Sequence, residues 1–249
     1  MNQPFKISAL IITKNEAHNL PSLLDNLAFA DEIIIVDSFS TDATEEIALK
    51  NKKVRFYKHT FENYASQRNI ALQYATYDWI LFLDADERLS EALKEEIFEE
   101  LKHPKADAFF FNRTYYYKSK PMYFTGLKDK NIRLFRKNIG QYSGLVHEKL
   151  MIEGSIATLK NKLIHYSYAN FNSYKLKLAT YGKLKAKEKF SKGETYHILK
   201  HYGHTGYCFL NRYFFRLGFL DGTKGIVISY LMAYAIWERY KEIKRLRLK

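Results

Sequence analysis

Cysteine is almost absent from this chain. Cys208 is the only one in 249 residues, which excludes an intramolecular disulfide and any zinc site built on thiolates. A lone thiol suits a reducing cytoplasm. Long apolar runs are missing too. The N-terminal apolar stretch spans about seven residues and ends in charge, so no secretory signal is expected. The uncharged run Gly225–Trp237 is 13 residues long, short of the roughly 20 that a spanning helix needs. No internal repeat or low-complexity linker divides the sequence. Acidic residues are scarce in the last third only: residues 171–249 hold 17 Lys or Arg against 5 Asp or Glu, whereas residues 1–170 hold 23 against 22. The C-terminal part is therefore expected to meet an acidic partner, nucleic acid or an anionic membrane surface.

What is present is enough for a large core. Hydrophobic residues make up 47% of the chain, which excludes disorder by composition. Short apolar runs alternate with helical patterns: strands at 6–13, 32–37, 54–59 and 79–84, and helices at 17–29, 41–50, 61–75 and 90–101. Ser40 or Thr41 is the expected cap of the second helix and Ser90 of the fourth. Nearly continuous apolar strands between helices imply a parallel sheet covered on both faces. Segments 107–117, 131–137, 144–152 and 156–168 read as further strands, added antiparallel. From residue 170 the pattern becomes helical and aromatic. The expected architecture is one α/β domain over 1–169 and a basic, helical extension over 170–249.

In an open α/β sheet, ligands lie beyond the carboxyl ends of the strands. Strand one ends in Thr13-Lys14-Asn15-Glu16, strand two in Asp37-Ser38-Phe39-Ser40-Thr41-Asp42, and strand four in Asp84-Ala85-Asp86-Glu87. Helix capping accounts for Ser40, Thr41 and Ser90. It does not account for Asp84, Asp86 and Glu87, because three crowded carboxylates repel unless a cation stands among them. A metal site is the reading.

The stretches TKNEAHNL, IIIVDSFSTDAT, ASQRNIALQYATYDWILFLDADE and GLVHEKL, in that order, resemble the family 2, GT-A type inverting glycosyltransferases. The resemblance is closest to the bacterial lipopolysaccharide-core glucosyltransferase-like group. It covers roughly residues 5–165, and GFLDG (218–222) is also similar to that group. Each motif alone is weak, Asp-x-Asp above all; four in order are strong. The resemblance implies that Thr13, Asn15 and Glu16 line a nucleotide pocket and that Asp37 contacts the base. It sets Arg68 against base or phosphates, with Asp84 approaching the ribose or the metal shell and Ala85 among the residues that bind the nucleotide sugar. Asp86, with Asp84, would ligate Mg²⁺ or Mn²⁺. A hard cation held by one or two carboxylates suits a diphosphate leaving group.

An inverting transfer needs a base for the acceptor hydroxyl. Glu148 is the candidate, with Asp129 the alternative; the bland reading of Glu148 is a strand-end salt bridge. His165 is a candidate metal or phosphate contact, although a lone His among aromatics is more often simply packed. His147 alternates with Glu148 across a strand, so the two should face apart. Arg133 and Arg136 read equally as phosphate-side charges and as solvated strand residues.

The tail mixes large apolar residues with Lys and Arg, as interfacial helices on an inner leaflet do. Packing on the catalytic domain or in a homo-oligomer explains it as well. The partners expected are thus a nucleotide-sugar donor, a glycan or lipid-linked acceptor and a membrane surface. A polyprenyl-phosphate sugar synthase is the neighbouring alternative. A nucleotidyltransferase would want a glycine-rich loop after strand one, where Thr-Lys-Asn-Glu-Ala stands. A nucleic-acid-binding module would leave the acidic strand ends without a purpose.

Overall fold

The computed structural model describes residues 5–117, 120–124, 126, 129–144, 148–168 and 171–248. They form two compact units, Met1–Arg113 with Asp129–His165, and Thr114–Lys128 with Tyr166–Lys249.

The first unit opens with β1 (Ile7–Thr13), α1 (Leu20–Asn26), β2 (Glu32–Asp37), α2 (Thr44–Leu49), β3 (Val54–Lys58), α3 (Tyr64–Tyr74) and β4 (Trp79–Phe82). A short β5 (Glu87–Leu89) and α4 (Glu91–Lys102) follow, then β6 (Ala108–Tyr117), β8 (Lys130–Arg136), β9 (Gly140–Ser143), β10 (Lys149–Ile152) and β11 (Ile156–Tyr168); β7 (Lys120–Pro121) and the last residues of β6 and β11 belong to the second unit. Among the described residues the main sheet runs β3-β2-β1-β4-β8-β6-β11-β5, with β7 beside β6. Strands β3, β2, β1 and β4 are parallel. β8 runs antiparallel to both β4 and β6, and β5 antiparallel to β11. The pair β9–β10 stands apart from this sheet.

Alternation along the strands builds a core on each face. Ala9 and Ile11 of β1, with Ile33 and Ile35 of β2, pack with α1 and α4 through Leu20, Leu23, Leu93 and Ile97. Leu10, Ile34 and Val36 point the other way and pack with Ala71 and Leu72 of α3 and with Phe82 and Phe135. Both faces being covered is why these runs read as continuously apolar. At the amino ends of the strands Glu32 is buried and structural: it accepts from Ser8 Oγ at 2.6 Å, Thr76 N–H at 2.6 Å and Arg55 Nη1 at 3.1 Å.

The expected caps divide. Ser90 does cap α4, accepting from Leu93 N–H at 3.2 Å. Ser40 and Thr41 cap nothing: α2 starts at Thr44 with Ala43 in the cap position and no side-chain cap bond. Strand four is shorter than 79–84, because the chain turns at Asp84 to enter β5.

In the second unit, α5 (Phe171–Ser191), α6 (Ile198–Leu210) and α7 (Thr223–Arg247) are the helices, with a π-helical turn at Asn211–Phe215 between the last two. Met122, Leu178, Ile228 and Leu231 form its core. The GFLDG segment is structural in this unit. Asp221 is buried and accepts from the N–H groups of Tyr123 and Phe124 at 3.1 and 2.9 Å, and Gly222 turns the chain at φ +63°. Among the described residues no helix is long and apolar enough to cross a membrane.

Candidate active site

β1 and β2 end side by side, Thr13 opposite Asp37. Thr13 Oγ1 donates to Asp37 Oδ1 at 2.9 Å; Ser40 donates to the same oxygen from its hydroxyl at 2.5 Å and to Oδ2 from its N–H at 2.7 Å. Asp37 is only 1% exposed, and three donors meet its charge while it shapes the β2–α2 turn. Asn15 joins the two loops: its N–H donates to Ser40 Oγ, and its Oδ1 accepts from Thr41 N–H, both at 2.7 Å. This is where the hydroxyl of Ser40 goes instead of to a helix cap. Asn15 sits at φ +56°, a region Asn enters more readily than other side chains. Glu16 N–H donates to Thr44 Oγ1 at 2.9 Å, and its carboxylate accepts from Asn19 at 2.7 Å. Thr13, Asn15, Glu16 and Asp37 thus stand on two cross-bonded loops at one rim of the sheet.

Three consecutive residues of α3 reach three other elements. Gln67 Nε2 donates to Ser38 Oγ at 3.1 Å, Arg68 Nη2 to Asp84 Oδ1 at 2.6 Å, and Asn69 Nδ2 to the Tyr142 carbonyl at 2.8 Å. Asn69 Oδ1 also accepts from Tyr142 N–H at 2.9 Å. Successive helical positions lie about 100° apart, so one short motif fixes α3 against β2, the Asp84 turn and β9.

Asp84 is held from both sides. Its Oδ2 accepts from Arg133 Nη2. The same Nη2 donates to Glu87 Oε1 at 2.7 Å, where Arg113 Nη1 arrives at 3.2 Å. Burial works against charge on Asp84, yet Arg133 and Arg68 beside it hold its carboxyl well below the usual carboxylate range. Burial likewise opposes charge on Arg133, but Asp84 and Glu87 raise its pKa above the ordinary value. The crowding at 84–87 therefore does not by itself call for a metal: guanidinium groups from α3, β6 and β8 answer it. Neither Arg133 nor Arg136 is a freely solvated strand residue. Arg133 is 5% exposed, while Arg136 pairs with Asp78 and lies 4.2 Å over the Trp79 ring at the start of β4.

Asp86 meets His165, with 3.1 Å between Oδ2 and Nε2. The β5–β11 pairing sets His165 opposite Glu87 and so brings it to this turn. A carboxylate oxygen and an imidazole nitrogen converging at a partly open rim fit a divalent cation that completes its shell with phosphate and water. Asp84 differs, since both of its oxygens bond arginines. Ala85 is buried, and its carbonyl accepts from Arg88 Nη1 at 2.8 Å. Among the described residues no group of three or more His, Cys, Asp or Glu is arranged to hold a metal, so the fit is to a two-residue site.

A cleft of about 370 Å³ opens beside Asp84, with Arg68, Arg133, Tyr142, Glu148 and Lys149 among its lining residues. Glu148 Oε1 stands 3.5 Å from Arg68 Nε. Among the described residues, Arg68 Nη1, Arg133 Nε and the Tyr142 hydroxyl are buried without a hydrogen-bond partner. Such orphans are rare and mark where a ligand or water belongs. Burial pushes the Tyr142 hydroxyl above its ordinary pKa, which keeps it a donor. Asp129 is gripped by Arg113 through Nε at 2.8 Å and through Nη2, and it does not line the cleft. His147 lies outside the described residues.

Residues 8–166 match the family described as Glycosyl transferase family 2. The chain belongs to that family. It is a glycosyltransferase, and its first unit has the α/β sheet with antiparallel additions that the strand and helix pattern implied. An uncharacterized glycosyltransferase, RP128, of Rickettsia prowazekii is 29% identical over 98% of this chain and 88% of its own length. The lipopolysaccharide core biosynthesis glycosyltransferase LpsC of Rhizobium meliloti is 29% identical over 94% of this chain and 93% of its own. Among solved structures, S. aureus TarS 1–349 in complex with UDP is 16% identical, with a TM-score of 0.47 over 98% of this chain and 91% of that one.

Sequence reasoning missed Arg113 and Tyr142, which line the cleft, and Asn69, which holds the Tyr142 backbone. Arg113 stands alone as a cation within the aromatic strand FFFNRTYYY, a signal that was available. Tyr142 and Asn69 gave none, because their roles depend on β9 meeting α3, 73 positions away.

Proposed function

We propose that this glycosyltransferase moves a hexose from a nucleoside diphosphate sugar, UDP-glucose by preference, to a hydroxyl of a lipopolysaccharide-core or other lipid-linked glycan, with inversion at the anomeric carbon. One observation carries the reading: Glu148 and Asp84 line a single cleft, bridged by Arg68, whose Nε is 3.5 Å from Glu148 Oε1 and whose Nη2 is 2.6 Å from Asp84 Oδ1. In the proposed step Glu148 takes the proton of the acceptor hydroxyl. The freed oxygen bonds to the anomeric carbon from the side opposite the diphosphate, whose C–O bond breaks with the electron pair leaving on phosphate. Arg68 and Arg133 keep positive charge beside that departure, and the orphaned N–H groups of both offer donors to an anion. Asp86 and His165 would hold Mg²⁺ or Mn²⁺, whose role when bound is to offset charge on the diphosphate. Thr13, Asn15, Glu16 and Asp37 would carry the nucleoside side of the donor.

The name of the Rhizobium relative favours a lipopolysaccharide-core acceptor. The excess of basic residues after position 170 and the exposed aromatics there favour attachment to the inner face of the cytoplasmic membrane. The test is a transfer assay with UDP-glucose and core oligosaccharide from a strain lacking this gene, the product's anomeric configuration being read by NMR. A β-linked glucoside from the α-linked donor is the expected product. Retention, or no transfer from any nucleoside diphosphate hexose, would overturn the reading.

A further inference from the structure

We propose that one exposed face of α6, with the turn that follows it, is a lipid-docking surface that seats in the headgroup region of an anionic bilayer. The proposal rests on the membrane reading above and narrows it to residues 198–220.

α6 packs on α7 by one side only. His201 is buried, its ring centroid 4.2 Å from that of Trp237, and His204 Nδ1 lies 2.6 Å from the Tyr240 hydroxyl. The opposite side carries Leu199 and Leu210, which at helical spacing share a face and are 85% and 48% exposed; Tyr202, 59% exposed, borders that face while its ring meets Trp237 edge-on at 5.4 Å. Phe214 and Phe215 in the π-helical turn and Leu220 beyond it are 52%, 78% and 55% exposed. Large apolar side chains gathered within 22 residues and left in water mark an interaction surface.

Charge chooses the partner. Residues 195–220 contain no Asp or Glu and carry Lys200, Arg212 and Arg216. A second copy docking through the same face on a two-fold axis would set these cations against their own equivalents with no carboxylate between them. An anionic bilayer answers both features: its headgroup boundary takes the Leu, Phe and Tyr side chains while its phosphates take the Lys and Arg.

The experiment uses the full chain and sedimentation with vesicles of phosphatidylcholine alone or mixed equally with phosphatidylglycerol. It compares wild type with the triple variant Leu199→Ser, Phe214→Ser, Phe215→Ser, whose melting temperature reports folding. Wild type should pellet with the anionic vesicles, and the triple variant should partition at least about tenfold less. Equal binding by a folded triple variant overturns the assignment of this face and leaves the membrane reading intact. No binding by wild type overturns both. A lipid-free dimer that the triple variant dissolves gives the face to a second copy and also overturns the proposal. Should the triple variant fail to fold, Phe215→Trp decides: its emission should shift blue on anionic vesicles relative to wild type, and an unchanged spectrum counts against the proposal.

Discussion

Arg68 donates to Asp84 at 2.6 Å, so the cation of the Gln-Arg-Asn stretch and the first carboxylate of Asp-Ala-Asp act as one unit. The arginine side chain is 6% exposed and the aspartate 29%. Removing one member of a buried pair leaves the other charge stranded. Arg68→Ala is expected to cost about 2–3 kcal/mol in urea unfolding, less than a fully buried pair because Arg133 still holds the other oxygen of Asp84. Arg68→Lys should recover part of that stability but little of the sugar transfer, since the ammonium cannot serve Asp84 and an anion in two directions as the guanidinium fork does.

Acid should report on the same unit. The folded pKa of Asp84 lies below its ordinary value of 3.8. A depressed carboxylate stabilises the fold fully above its unfolded pKa, and that contribution fades as pH falls toward the folded value. Wild type should therefore exceed Asp84→Asn in stability by a constant margin from neutral pH down to about 4, and the margin should shrink below it. A margin independent of pH from 7 down to 2 would show that the carboxylate charge contributes nothing.

The proton acceptor can be separated from its neighbour. Glu148→Gln should lower kcat by about 10²–10⁴ with donor KM near wild type, the pattern for loss of a general base. Asp129→Asn should loosen Arg113 and lower stability modestly, with kcat within about tenfold of wild type. The reverse pattern would move the base to Asp129.

Much of the frame was legible because β1, β2 and β4 are covered on both faces and so read as apolar runs, with Asp37 and Asp84 punctuating their ends. The compensation of charge was not. Arg133 lies 49 positions from Asp84 and Arg113 26 from Glu87, so local spacing shows three crowded acids without their cations. For the same reason β5 went unseen: three residues make a strand only because β11 runs beside them. That pairing also carries His165 to Asp86, which the sequence could offer only as a lone histidine at a strand end. Ser40 misled because a hydroxyl before a helix reads as a cap, whereas here Asp37 and Asn15 take it.

The central claim, a nucleoside diphosphate sugar held with a divalent cation at Asp86, is tested most directly by thermal unfolding with UDP or UDP-glucose, with and without Mn²⁺. At 100 times its dissociation constant a ligand stabilises the fold by about 2.7 kcal/mol, a rise of several degrees for a chain of this size. The rise should need Mn²⁺ and shrink in Asp86→Ala and His165→Ala. A nucleotide shift of equal size without metal would contradict the cation's role, and no shift with any nucleoside diphosphate or its sugar would contradict the account as a whole.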